Sequence, residues 1–199
     1  MKKVKLLIVY YSMTGHNFQM ANWAKEAGEK SGAEVRLRKV RELRDISEAK
    51  ENPAWEKYLE DSKDIKEADS DDLVWADAII FSSPTRFGNI SSQMKHYIDL
   101  QGGVWAEGKL ANKVVSAMTS AQNNNGGQEE TIRTIYTTAM HWGAIIVSPG
   151  FTSDAIYKAG GNPYGTSGTA TNDGFANDLE DAVRDQAKRV IQITEKLLN

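Results

Sequence analysis

Apolar residues along the chain gather into four or five short runs separated by stretches of helical spacing. The first, Val4 to Tyr11, is rich in β-branched and aromatic residues and apolar at both parities. Glu34 to Val40 alternates strictly, whereas Ala78 to Ser82, Val114 to Met118 and Ala144 to Val147 again run continuously. A strand covered on both faces reads as a continuous apolar run, and a half-covered strand alternates. The pattern therefore predicts interior strands at the first, third, fourth and fifth runs. The second is an edge, where charge discourages unwanted pairing. Helices are predicted at Asn17–Lys30, at Ser91–Leu100 behind a serine cap, and at Gln128–Trp142 after a glycine pair. A last helix runs from about Asn177 to the end, with Leu179, Ala182, Val183, Val190 and Leu197 on one face and charge on the other. Strands alternating with helices mean βαβ units, a parallel sheet and right-handed crossovers. The expectation is an α/β fold in a single domain spanning 1–199. Two insertions interrupt it. About 47–72 is charged and weakly periodic, with a short helix around Trp55–Glu60; 152–174 is rich in Gly, Asn, Ser and Thr. A loop that long inside a compact domain is functional or disordered.

Composition narrows the partners. The 199 residues carry a net charge of −3, with 40% hydrophobic and 26% charged residues, the balance of a soluble globular protein. The basic excess of a non-specific nucleic-acid binder is missing, so no direct nucleic-acid contact is expected. There is no cysteine, which excludes disulfides, thiolate nucleophiles and iron–sulfur clusters. Lys2, Lys3 and Lys5 precede an apolar stretch that is too short for a secretory leader, and no stretch is long enough for a membrane span. The expected compartment is cytoplasmic.

In an open α/β sheet, ligands bind beyond the carboxyl ends of the strands. After the first run comes Ser12-Met13-Thr14-Gly15-His16-Asn17, then a helix. Short polar side chains and one glycine at a helix start make an anion site from free N–H groups and the helix dipole. A capped helix start after a tight turn is the other reading of that loop. No P-loop and no GxGxxG is present. After the third run comes Pro84-Thr85-Arg86-Phe87-Gly88-Asn89, a wall for a planar ring or simply a rigid turn with an exposed arginine. After the fourth comes Ser120-Ala121-Gln122-Asn123-Asn124-Asn125-Gly126, again polar and followed by a helix. The three loops together describe a phosphate pocket beside a ring pocket.

These residues carry a family resemblance. Tyr10 to His16, the run PTRFGN at 84–89, Gln101 to Ala106, Gly126 to Glu129 and GGNPYG at 160–165 resemble the tryptophan-repressor-binding-protein (WrbA) family in matching order. These are flavodoxin-like, FMN-dependent NAD(P)H:quinone oxidoreductases. The resemblance implies a flavodoxin-like three-layer sandwich with a five-stranded parallel sheet of order 2-1-3-4-5. It implies FMN as cofactor, NAD(P)H as electron donor, a quinone acceptor, a ping-pong cycle and a homotetramer. It places the FMN phosphate on residues 12–17, the ring on Thr85, Arg86 and Phe87, and the far rim on the 120–126 loop and His141. Arg86 and His141 become the catalytic pair, and Phe87 and Trp105 the surface for the substrate. Thr14 stands where the family commonly has an aromatic residue, and Trp142 where a second histidine is common.

The remaining histidines support no metal site, because His16, His96 and His141 have no ligand spacing with acidic partners. His96 reads as a surface residue. His141 closes a helix, where a cation is favoured by the dipole, and that competes with a flavin role. Trp105, between Gly103 and Gly108, is either a packing anchor at a subunit contact or a stacking surface at the flavin mouth. A flavodoxin-type electron carrier and a flavin-binding regulatory or scaffold protein are the alternative functions.

Overall fold

Every apolar run becomes a strand in the computed structural model, which describes residues 2–199. β1 (Lys5–Tyr10), β2 (Glu34–Lys39), β3 (Ala78–Pro84) and β4 (Val114–Ala121) lie parallel in the order β2-β1-β3-β4. Strand parity sets the layers. Leu6, Ile8 and Tyr10 of β1 join α1 (His16–Lys30) and α8 (Glu180–Leu198) in one apolar cluster. Leu7 and Val9 point the other way, toward α3 (Ser70–Trp75), α4 (Ser92–Asp99) and α6 (Gln128–His141). Burial on both faces is why β1, β3 and β4 read as unbroken apolar runs. The result is a three-layer sandwich, as expected.

The fifth position differs from the expected single strand. β5 (Ile145–Ile146) pairs with the amino end of β4, and β6 (Ser167–Thr171) pairs with its carboxyl end. β7 (Gly174–Phe175) then folds back antiparallel on β6, so among the described residues the sheet has seven strands rather than five. The break has a chemical cause. Ser148-Pro149-Gly150 succeeds Val147, and proline cannot donate to a ladder. The chain leaves the sheet, forms α7 (Asp154–Lys158), and returns at Ser167. The stretch 152–174, expected as an insertion, thus completes the sheet. Its strand, Ser-Gly-Thr-Ala-Thr, has no apolar periodicity to announce it.

The 47–72 stretch is also better anchored than its charge implies. After a 3₁₀ turn at Ile46–Glu51, α2 (Pro53–Asp61) opens with Asn52 accepting from the N–H groups of Ala54 and Trp55, and with proline at its first position. Trp55 and Tyr58 are buried, and the Tyr58 ring stands 5.7 Å from Phe18 and 6.5 Å from Tyr10. The charges of edge strand β2 have a use too. Buried Asp72 accepts from Arg36 at 3.0 Å and Arg38 at 2.8 Å, and Arg36 lies over the Trp75 ring at 4.0 Å. Among the described residues, no helix is long and apolar enough to cross a membrane.

Candidate functional site

The loop between β1 and α1 is closed by Ser12, whose buried Oγ accepts from the Gly15 N–H at 3.1 Å. Gly15 takes a left-handed conformation (φ 93°) that a side chain would disfavour. No side chain caps α1, and its first turn has no acid. By contrast α2, α3 and α4 are capped by Asn52, Asp69 and Ser91. The first N–H groups of α1 are therefore available to an anion at the positive end of the helix dipole. The His16 ring is not. Its Nε2 donates to the Thr171 carbonyl at 2.9 Å, its Nδ1 faces Thr14 Oγ1 at 3.2 Å, and it meets Phe175 edge-on. His16 ties the loop to β6 and offers only its backbone N–H to a ligand. Met13 is half-buried beneath the loop, and Thr14 is exposed above it.

After β3, the Arg86 N–H donates to the Asn89 carbonyl at 2.7 Å and the Asn89 N–H returns to the Arg86 carbonyl at 3.0 Å. Phe87 (φ 52°) and Gly88 (φ 76°) fill the turn between them, a two-residue loop of the kind that needs positive φ at both positions. A bulky residue there is strained, and strain of this kind gathers at functional sites. Its consequence is that the Phe87 ring is fully exposed (107%) and touches nothing that would hold it down. Arg86 donates one N–H to the Thr85 carbonyl at 3.1 Å and has no carboxylate partner among the described residues.

The loop after β4 is held by its own backbone. The Asn123 carbonyl accepts from the Gly126 N–H at 3.0 Å and from Gln128 Nε2 at 3.1 Å, and Asn124 Oδ1 accepts from Thr169 Oγ1 at 2.7 Å. Gln122 to Asn125 are exposed and Ala121 is buried. Gly127 is pressed against the neighbouring turn: a Cβ on it would lie 2.6 Å from Gly88 Cα. Beneath all three loops runs a buried polar network. Asn17 Nδ2 donates to Ser82 Oγ at 3.0 Å, and Ser120 Oγ donates to Asn17 Oδ1 at 2.6 Å. Thr119 Oγ1 donates to the Ser83 carbonyl at 2.6 Å, and Thr131 Oγ1 to Thr85 Oγ1 at 3.1 Å. A satisfied network of this kind fixes the loops relative to one another. It also means that the Asn17, Thr85 and Ser120 side chains serve the scaffold rather than point at a ligand.

His141 and Trp105 are not brought to these loops within one chain. α6 starts at Gly127, beside Gly88, and its 14 residues carry the chain about 20 Å to the amino end of the sheet. There the Gly143 carbonyl accepts from the Asn112 N–H at 2.9 Å, just before β4 begins. Trp105, on α5 (Gly102–Ala106), donates its Nε1–H to the His141 carbonyl at 3.0 Å and stays half exposed. The two residues are neighbours of each other. Trp142, at the place of a second histidine, is buried with its ring 6.1 Å from Phe81.

One region escaped the sequence reading. The loop after β2 joins the loops after β1 and β3 around a cavity of about 610 Å³ whose lining includes Tyr11, Met13, Arg44, Arg86 and Gln93. The Tyr11 hydroxyl donates to Glu42 Oε2 at 2.8 Å. Burial, and next that bond to Glu42, push the phenol well above its ordinary range, so it stays a donor. The signal was available, because the rule that ligands gather beyond strand carboxyl ends covers an edge strand as well as interior ones.

Parallel strands whose carboxyl ends carry three cross-braced loops, one of them an uncapped, acid-free helix start, define a flavodoxin-like α/β protein. The fold is shared with a flavodoxin, WrbA-like protein from Agrobacterium tumefaciens, with a TM-score of 0.68 and 23% identity over 98% of this chain and 99% of that one. The chain belongs to the NADPH-dependent FMN reductase family, whose model matches residues 4–157. A protein of Deinococcus radiodurans named NAD(P)H dehydrogenase (quinone) is 53% identical over 195 residues, 98% of each chain. A protein of the same name from Geotalea daltonii is 40% identical over 203 residues, again 98% of each. The membership drawn from the loop motifs is borne out.

Proposed function

We propose that the chain is an FMN-dependent NAD(P)H:quinone oxidoreductase. The observation that carries this reading is the uncapped start of α1 placed beside an exposed, strained Phe87 on the neighbouring loop. An anion site next to a bare aromatic surface fits a mononucleotide with a planar head, and the relatives' names supply the reaction. The residues present fit FMN: Ser12 and the backbone of Thr14 to Asn17 would hold its phosphate, Arg86, Phe87 and the backbone of Thr85 its ring, and the loop from the Ser120 backbone to Gly126 the far rim. When bound, FMN would supply two-electron chemistry between a nicotinamide and a quinone, and the protein would bind, orient and tune it. Arg86 has unspent N–H donors, and preorganised donors stabilise negative charge as it develops on a ring. Thr14 is small and leaves the ring face open to the donor and then to the acceptor, which makes the cycle ping-pong.

The homotetramer belongs to the same proposal. Trp105 and His141 lie at the far end of α6 from the loops, so only a second copy of the chain can bring them to a ring. Leu100, Trp105 and Met140 are exposed apolar residues on that side, suited to a subunit contact. The test is reconstitution with FMN or riboflavin, followed by steady-state kinetics with NADPH and benzoquinone. FMN should bind more tightly than riboflavin, and double-reciprocal plots should be parallel. Equal affinity for riboflavin removes the phosphate assignment. A monomeric mass at micromolar concentration, with activity intact, removes the tetramer.

A further inference from the structure

The cavity beyond β2 and the Arg86–Asn89 turn shares Arg86 with the flavin reading and adds Arg44 and Lys95, which that reading does not use. Its lining holds three cations, Arg44, Arg86 and Lys95, and no carboxylate. Met13, Leu43 and Ile90 give it an apolar wall. Its volume of about 610 Å³ lies in the range of small-ligand sites.

Two of the cations are held by a carboxylate, each with N–H donors to spare, and Arg86 by none among the described residues. The Arg44 guanidinium lies over the Trp55 ring at 4.9 Å, and its Nη2 pairs with Glu48. Among the described residues its Nη1 has only Met13 Sδ at 3.8 Å, and a thioether is a weak acceptor. Arg86 has no carboxylate partner among the described residues, and Lys95 pairs with Asp99 on the outer face of α4. Glu42, on the loop that carries Arg44, is saturated: it accepts from the N–H groups of Leu43 at 2.8 Å and Arg44 at 3.1 Å, from Gln93 Nε2 at 2.6 Å, and from Tyr11. Those bonds fix the loop that presents Arg44, so Glu42 positions that cation. The cavity shares Met13, Arg86 and Asn89 with the two flavin loops. A donor whose nicotinamide lies at the ring can therefore place its other end here.

An apolar wall with several cations suits an adenosine bearing a phosphomonoester, which carries about −1.5 to −2 charges near neutral pH. We infer that this cavity binds the 2′-phosphate of the nicotinamide donor, and that Arg44 makes the protein discriminate NADPH from NADH. The inference rests on the quinone-reductase reading above.

The test needs no turnover at first. Calorimetry on the FMN-loaded protein compares adenosine 2′,5′-bisphosphate with adenosine 5′-monophosphate, which differ by the 2′-phosphate alone. The bisphosphate should bind at least tenfold more tightly, and Arg44→Leu should erase that difference while Arg44→Lys keeps part of it. In kinetics, the NADPH-to-NADH ratio of kcat/KM should favour NADPH and fall by tenfold or more in Arg44→Leu, through KM. Lys95→Met should lower the ratio in the same direction. FMN affinity, read from fluorescence quenching, separates the cavity from the flavin site. Equal binding of the two nucleotides, an equal loss with both donors, or a loss of FMN in Arg44→Leu overturns the inference. If neither nicotinamide reduces the flavin of the unaltered protein, the quinone-reductase reading fails instead.

Discussion

Gly127→Ala should separate the two loops that the buried network holds together. The residue sits at φ 87°, where an L side chain costs about 1–2 kcal/mol. Its new Cβ would stand 2.6 Å from Gly88 Cα and 3.3 Å from Gly88 N, both backbone atoms that cannot rotate away. Forcing a methyl into a tight backbone contact adds roughly 1–3 kcal/mol, so the total is about 2–5 kcal/mol. Gly88→Ala is the matched control. Its φ is 76°, but a Cβ there meets nothing within 4 Å, so only the backbone cost of about 1–2 kcal/mol applies. Urea unfolding of the protein without flavin reads both, and with a slope of about 1–3 kcal/mol per molar the Gly127 variant should lose roughly 1 M or more in its midpoint. FMN affinity should fall with it, because the 86–89 turn must move. If Gly127→Ala were no more destabilising than Gly88→Ala, the close approach of the two loops would be wrong.

Gly15→Asp should weaken FMN binding by tenfold or more relative to Gly15→Asn, which shares its shape and its left-handed backbone but not its charge; equal affinities would remove the phosphate from the head of α1. Asp72→Ala leaves Arg36 and Arg38 without their shared acceptor and should cost about 2–3 kcal/mol in denaturant unfolding, since Arg36 keeps part of its solvent contact. Burial pushes the Tyr136 hydroxyl up to about 12, above its unfolded value, so its contribution is complete below pH 10 and is lost as pH rises from 10 toward 12. Tyr136→Phe should therefore flatten the alkaline fall in stability across that window, and an unchanged slope would contradict the assignment.

Much of this fold was legible because burial writes itself into the sequence. β1, β3 and β4 are covered on both faces and read as apolar runs, and β2 alternates because it is an edge. The Ser91 cap and the end of α1 near Gly32 were equally plain. β6 was not, since Ser167 to Thr171 are held by pairing with the carboxyl end of β4 rather than by their own apolarity. α2 was seen as a helix, but only tertiary contact shows Trp55 and Tyr58 docked on Tyr10 and Phe18. The site divided in the same way. The three loops could be read from the polar, glycine-bearing residues at the carboxyl end of each interior strand, whereas the distance between His141 and those loops depends on the direction and length of α6. The use of Asn17, Ser120 and the His16 ring as braces depends on partners far along the chain, which no local motif records.

The central claim is two-electron transfer from a nicotinamide to a quinone through FMN held by these loops. Anaerobic titration of the FMN-loaded protein with NADPH, followed by benzoquinone, tests it most directly. One equivalent of NADPH should bleach the flavin absorbance fully, and one equivalent of benzoquinone should restore it. A protein that binds no FMN, or whose bound FMN is untouched by both NADPH and NADH, would contradict the account.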